Sequence, residues 1–225
     1  MSKKHPVIAI TGSSGAGTTT VKRAFEHIFR REKTIAAVIE GDSYHRYNRV
    51  EMREAMKKAE AAGNRHFSHF GEDANLFEEI ANCFKTYGET GGGRKRYYLH
   101  SEEEAAEHNQ RLGTQLKPGE FTPWEDIPPG TELDVARYVD LLVGVVPIVN
   151  LEWIQKIHRD TRERGYSTEA VVDTILRRMP DYTRYITPQF SRTHINFQRV
   201  PVVDTSNPFI ARDIPTPDES FVVIR

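Results

Sequence analysis

The stretch PVIAITGSSGAGTTTVKRAFEHIFRRE constrains the fold more than any other. Pro6 to Gly12 is a short apolar run, rich in β-branched side chains, that ends in glycine. That is the pattern of a buried parallel strand. A glycine-rich loop follows, then a helix on which Val21, Phe25 and Ile28 or Phe29 share one face. TIAAVIEGD then reads as a second buried strand turning at Gly41 and Asp42. Strand, glycine loop, helix and strand make a βαβ unit of about 35 residues, which predicts an α/β fold.

The loop itself, Gly12, Ser13, Ser14, Gly15, Ala16, Gly17, Thr18 and Thr19, fits G-x-x-x-x-G-K-[ST] except that Thr18 takes the place of lysine. Glycines let backbone N–H groups curl around a phosphate, and a helix N-terminus adds partial positive charge. Thr19 stands where a loop hydroxyl holds Mg²⁺. Without the lysine, another cation must compensate if a phosphoryl group is transferred. The competing reading is a glycine-rich turn with no ligand.

Along the rest of the chain, RVEMREAMKKAEAAG and ANLFEEIANCFKTYG predict helices. GETGGGRKRYYLHSEEE predicts a loop or hairpin, and the proline-rich KPGEFTPWEDIPPGTEL an extended surface segment. LLVGVVPIVN predicts a third buried strand. LEWIQKIHRDTRERG predicts a helix ending at Gly165, and STEAVVDTILRRM a helix capped by Ser167 or Thr168. INFQRVPVVDTS and SFVVIR read as strands.

With 225 residues the chain suits one sizeable core. Its formal net charge of -1 gives no global argument for a nucleic-acid or membrane partner. No apolar run approaches the roughly 20 residues of a membrane helix. The first apolar run is too short for a signal peptide. The single cysteine, Cys83, lies among apolar residues at helical spacing and predicts a buried structural role. It allows no intramolecular disulfide, which fits a reducing cytoplasm.

Three basic or acidic stretches carry the chemistry. In EGDSYHRYNR, Asp42 is expected at the carboxyl end of a strand, the edge where open α/β sheets bind ligands. A carboxylate there can accept the proton of an attacking hydroxyl. His45, Arg46 and Arg49 would surround it with positive charge; alternatively, Asp42 caps the following helix. RKRYYLH sets three basic residues beside two tyrosines and His100, either a sugar- or phosphate-contacting loop or a solvated hairpin. QKIHRDTRERG brings Lys156, His158, Arg159, Arg162 and Arg164 onto one helix and its end. Lys156 and Arg159 are three apart and share a face. Such a run is either a solvated helix face or the source of the cation missing at Thr18.

These motifs, with VVPIVNLEWIQKIHRD and NFQRVPVVDTSNPFIAR, resemble the bacterial phosphoribulokinases in order from about Lys3 to Arg225. SSGAGTTT, with threonine in the lysine slot, is itself similar to that group. The resemblance implies a P-loop kinase-like three-layer fold with a mixed, mainly parallel sheet flanked by helices, in a single domain spanning 1–225. It implies MgATP-dependent phosphorylation of ribulose 5-phosphate. Gly12 to Thr19 would hold the ATP phosphates and Mg²⁺, and Asp42 would be the general base on the C1 hydroxyl. His45, Arg49, Tyr98, His100 and Arg164 would bind the sugar phosphate. Lys156 and Arg159 would stabilise the transferring group. Arg31 and Arg178 resemble residues of allosteric control, with NADH as activator and AMP as inhibitor, in an octameric cytoplasmic enzyme. Another small-molecule kinase related to uridine kinase, or an inactive nucleotide-binding relative, is the alternative.

Two departures from the resemblance are expected to matter. The family places a strand ending in an acidic Mg²⁺ ligand between PPGTEL and DVARYVD, at the junction 133–134, and a further part after Arg225. Glu152 is a poor substitute for that acid, because NLEWIQ already has its own place in the match. Losing a buried strand would cost on the order of 2–3 kcal/mol per large apolar side chain, against total stabilities of about 5–15 kcal/mol. A longer parent protein is therefore expected.

Overall fold

A computed structural model describes residues 5–127 and 140–225. In chain order its main elements are β1 (Ile8–Thr11), α1 (Thr18–Arg31), α2 (Arg49–Ala61), α3 (Phe77–Thr90), β2 (Gly93–Lys95), α4 (Glu102–Leu112), β3 (Glu125–Ile127), β4 (Leu141–Val145), α5 (Val149–Arg162), α6 (Thr168–Arg177), β5 (Ile195–Pro201) and β6 (Ser220–Ile224). By contact the chain divides into two compact units. One comprises Ile8–Thr34 and Leu141–Arg225, the other Met1–Val7 and Ile35–Asp140.

The first unit holds a four-stranded sheet in the order β1-β4-β5-β6. β1 runs parallel to β4, with Ile8 opposite Leu141 and Thr11 opposite Gly144. β4 runs parallel to β5, and β6 closes the edge antiparallel, with Phe197 opposite Ile224. The sheet is thus mixed and mainly parallel, with helices beside it, as the P-loop kinase-like expectation requires. α5 and α6 pack through Trp153, Ile157, Val171 and Ile175, a buried cluster that Phe209 joins. Ser167 caps α6 by accepting from the Ala170 N–H. β4 ends at Val145, two residues before Pro147, and the last two residues of the expected strand, Val149 and Asn150, open α5 instead. Proline lacks the N–H a ladder needs but tolerates a helix start.

The second unit packs α3 against Tyr44, Val7 and Ala37. Phe84 and Tyr87, on the inner face of α3, are essentially inaccessible. Burial of each large apolar side chain contributes about 1.5–3 kcal/mol. Cys83 is buried in the same cluster and donates to the Arg94 carbonyl at 3.2 Å, as a structural cysteine would. β2 and β3 form a two-stranded antiparallel ladder, with Lys95 opposite Glu125. Part of the proline-rich segment is therefore a strand.

The expected strand over TIAAVIEGD does not form among the described residues. Ala36 makes only an isolated bridge, and Gly41–Tyr44 is a 3₁₀ turn. Apolar, β-branched composition favours extended backbone, but a strand exists only where a ladder partner is supplied. Ile35 is 75% exposed, and the described neighbour of β1 is β4. Asp42 accordingly sits on a turn. α4 was not foreseen: its only buried residue is Ala105, so it has no apolar stripe to read. Its start is set by Ser101, which accepts from the Glu104 N–H, and by three glutamates in the first turn. The junction 133–134 lies outside the described residues.

Candidate active site

The glycine loop joins β1 to α1 in the first unit. A Cβ on Gly12 would lie 2.8 Å from the Thr18 methyl and 2.9 Å from the Val145 carbonyl oxygen, so the close turn needs glycine there. Gly15 adopts φ +100, and a Cβ on it would meet the Glu152 carbonyl oxygen at 2.8 Å. The loop therefore lies directly on α5. Among the described residues no side chain caps the N-terminus of α1, whose N-cap is Gly17, and its first turn has no acidic residue. The N–H groups and dipole at this helix start are open to an anion.

α5 holds the loop from its side. Gln155 Nε2 donates to the Gly15 carbonyl at 2.9 Å, and Arg159 Nη2 donates to Ser14 Oγ at 2.9 Å. Lys156 Cβ lies 3.1 Å from where a Gly15 Cβ would be. The helix thus brings the Lys156 and Arg159 stems to a loop that has threonine in place of lysine.

Asp160 organises these cations. Its carboxylate is 5% exposed and accepts from Lys156 Nζ at 2.7 Å and Arg159 Nε at 2.9 Å, with Arg164 Nη1 at 3.2 Å. Burial opposes the Asp160 charge, but Lys156 and Arg159 outweigh it and hold the carboxyl below its usual range. Burial, helped by repulsion from Arg159 and Arg178, pulls the Lys156 ammonium down against the pull of Asp160. Arg178 closes α6, and Asp181 and Asp160 partly offset the desolvation of its guanidinium. Arg31, by contrast, is an exposed residue at the far end of α1, paired with Glu32 at 2.9 Å.

Glu152 is buried in the first turn of α5, 4% exposed, and Oε1 has no hydrogen-bond partner among the described residues. Burial pushes its carboxyl up to about 7, opposed by Ser13 and Lys156. Thr19 is exposed at the helix start, where a hydroxyl can meet a phosphate-bound ion. No cluster of three or more metal-ligating side chains occurs among the described residues. Mg²⁺ usually takes only one or two protein ligands beside phosphate and water, so the loop and Thr19 suit a metal–nucleotide.

The second unit contains a carboxylate between two imidazoles. Asp42 lies in the 3₁₀ turn, with His45 Nε2 3.3 Å from Oδ1 and His100 Nε2 3.8 Å from Oδ2. Glu40 Oε2 faces His100 Nε2 at 3.6 Å. Partial burial opposes the Asp42 charge, but His45, His100 and His69 outweigh it and hold the carboxyl below its ordinary value. Its side chain is still 55% exposed. Glu40, Asp42 and Glu104 together raise the His100 imidazole, against its burial.

The structure sorts the remaining expectations. α2 is capped by Asn48 in a capping box with Glu51, so Asp42 does not cap it. Arg46 turns its guanidinium to the Asp73 and Asn75 carbonyls, at 3.2 and 3.4 Å, rather than to Asp42. Arg49 opens α2 and packs on Gly119, where an added Cβ would meet its own Cβ at 2.9 Å. The Tyr98 ring lies edge-on to His100 at 5.0 Å, and its N–H donates to Ser43 Oγ. Arg164 sits on Asp160 in the first unit.

Asp160, Gln155, Glu40, Asn75 and Arg96 escaped the sequence reading. Asp160 had a signal, since it lies four residues after Lys156 and next to Arg159. Arg96 donates to the Ser43 carbonyl at 2.7 Å and the His45 carbonyl at 2.6 Å while its guanidinium stacks on Phe121. Nothing local in RKRYYLH distinguishes it from its neighbours.

The family described as phosphoribulokinase / uridine kinase matches residues 7–206. The chromosomal phosphoribulokinase of Cupriavidus necator is 61% identical over 240 aligned positions, covering 100% of this chain and 80% of that protein. The phosphoribulokinase of Nitrobacter vulgaris is 59% identical, covering 100% and 81%. Among solved structures, the phosphoribulokinase from Rhodobacter spheroides superposes with a TM-score of 0.81 at 51% identity, covering 100% of this chain and 80% of that one. An alignment of 240 positions against a chain of 225 residues leaves at least 15 positions of the relative with no counterpart here.

Proposed function

Because the chain belongs to the phosphoribulokinase and uridine kinase family, we propose that it transfers the γ-phosphoryl group of MgATP to the C1 hydroxyl of ribulose 5-phosphate. The product is ribulose 1,5-bisphosphate, the Calvin-cycle intermediate. The observation that carries this reading is the identity of about 60% to phosphoribulokinases over the whole chain. A likeness of that depth, spread over every described element, favours it over the uridine-kinase alternative.

In this reading the N–H groups of Gly12 to Thr19 bind the nucleotide phosphates. Thr19 holds Mg²⁺, which when bound neutralises charge on the phosphates. Asp42 takes the proton of the C1 hydroxyl as its oxygen attacks, and its depressed pKa keeps it ready as a carboxylate. His45, His100, Tyr98 and Arg49 bind the sugar phosphate. Lys156 and Arg159, held by Asp160, supply positive charge to the transferring group and make good the missing loop lysine. Arg164 binds substrate phosphate from the end of α5. The same family reading carries regulation by NADH and AMP through Arg31 and Arg178, an octamer and a cytoplasmic location. A strand carrying the acidic metal ligand, expected at the junction 133–134, would account for part of the unmatched relative sequence.

A substrate panel tests the reaction. ATP-dependent consumption of ribulose 5-phosphate, with uridine untouched, is the expected result. Nucleoside phosphorylation without sugar-phosphate turnover would favour the uridine-kinase relative. ATP binding with no turnover of either would favour an inactive relative.

A further inference from the structure

We propose that Asn75 is a positioning residue that fixes His45 as its Nδ1–H tautomer and so presents Nε2 to Asp42 and to the sugar phosphate. The substrate half of this inference rests on the reading of His45 as a sugar-phosphate ligand.

The argument is one of donors and acceptors. Asn75 Nδ2 lies 2.8 Å from the His69 carbonyl and 2.8 Å from the Gly71 carbonyl. Carbonyl oxygens only accept, so this end of the side chain must be the amino group, and both its hydrogens are used. The other end is therefore the oxygen, 2.8 Å from His45 Nδ1. An amide oxygen only accepts, so the proton sits on Nδ1.

The backbone holds this arrangement on both sides. His45 and Asn75 face each other in an antiparallel bridge. The Leu76 N–H donates to the Tyr44 carbonyl and the Arg46 N–H to the Ala74 carbonyl, each at 2.8 Å. Arg96 Nη2 donates to the His45 carbonyl at 2.6 Å.

With Nδ1 committed, Nε2 is the nitrogen left to face Asp42 Oδ1 at 3.3 Å. A bare Nε2 lone pair and a carboxylate are both acceptors and cannot bond. A proton between them gives an imidazolium–carboxylate pair. Without that proton, Nε2 is an open acceptor for a sugar hydroxyl. In the other tautomer a permanent Nε2–H would occupy the Asp42 oxygen that has to take the substrate's proton. The other ionisable neighbours are His69, ring to ring at 5.8 Å, and His100, which meets Asp42 from its second oxygen. The Arg46 guanidinium is turned away to the Asp73 and Asn75 carbonyls.

Nitrogen-15 NMR of the full chain with labelled histidine, at alkaline pH, reads the tautomer directly. The expected result is an Nδ1–H signal for His45. Asn75→Leu should shift His45 to the Nε2–H form that free imidazole favours. It should also raise KM for ribulose 5-phosphate about tenfold, the value of one hydrogen bond, with KM for ATP unchanged. An Nε2–H signal in the unsubstituted protein overturns the proposal, whether or not the leucine variant folds. An unchanged KM for ribulose 5-phosphate in His45→Asn overturns the substrate half alone, leaving the tautomer assignment to the NMR result.

Discussion

The phosphate loop is a run of consecutive residues, Gly12 to Thr19, whereas the groups around Asp42 are drawn from Glu40, His45, His69, Asn75 and His100. The loop is shaped by backbone: two glycines at which an added Cβ would lie within 3 Å of a backbone oxygen, a helix start whose N-cap residue is glycine, and a helix, α5, against one side. The Asp42 cluster is shaped by side chains whose hydrogen bonds fix one another, with Arg96 tying two backbone carbonyls together. A backbone site recognises a common group, phosphate, and tolerates change in most of its side chains. A side-chain site depends on where each of its members is held.

The sharpest way to probe this contrast is Asp42→Asn. It removes a proton acceptor and leaves the shape nearly unchanged. Turnover is expected to fall about 10³-fold, within the range for loss of a general base, with KM for ATP unchanged. Steady-state kinetics with ribulose 5-phosphate checks this, and equal rates in the two proteins would remove Asp42 from the chemistry.

Next in size is Asp160→Asn, on the loop side. It takes the only acidic partner in contact with Lys156 and Arg159 out of the described structure. Uncompensated, partly buried cations are expected to cost about 2–3 kcal/mol, read as a lower urea midpoint. KM for ATP should rise as well, because Arg159 also bonds the loop at Ser14. A stability loss with unchanged ATP kinetics would make Asp160 a purely structural anion.

An effect of comparable size, but dependent on pH, is expected at Glu152. Its folded carboxyl titrates at about 7 against an ordinary 4.5. The folded state therefore holds the proton more tightly than the unfolded one, and stability falls as pH rises from 4.5 to 7. The loss is on the order of 3 kcal/mol and complete above pH 7. Glu152→Gln should flatten that slope, and thermal unfolding across the pH range shows it. An unchanged slope would mean Glu152 is ionised in its pocket.

What could be read from the sequence follows the same division. The loop was legible because strand, glycines and helix are adjacent, and their spacing is their geometry. The helices α1, α3, α5 and α6 were legible from apolar periodicity. TIAAVIEGD misled because pairing, which composition does not contain, decides whether an extended run becomes a strand. Asp42 was singled out by its place after that run, although it stands on a turn. Asn75 and Glu40 carried no signal at all, since only the fold brings Asn75 to His45, 30 positions away, and Glu40 to His100, 60 positions away. Gln155 was hidden for a simpler reason: a glutamine on a polar helix face looks like solvent-facing surface until a loop carbonyl is placed against it.

The central claim is that nucleotide and sugar phosphate are held by separate sets of groups. Calorimetric titration of ATP and of ribulose 5-phosphate into Gly15→Ala and His45→Asn tests it most directly. Gly15→Ala forces a Cβ to within 2.8 Å of the Glu152 carbonyl at a backbone φ of +100. It should weaken ATP about tenfold or more and leave the sugar phosphate unchanged. His45→Asn should do the reverse. Loss of both ligands by either folded variant would contradict the account.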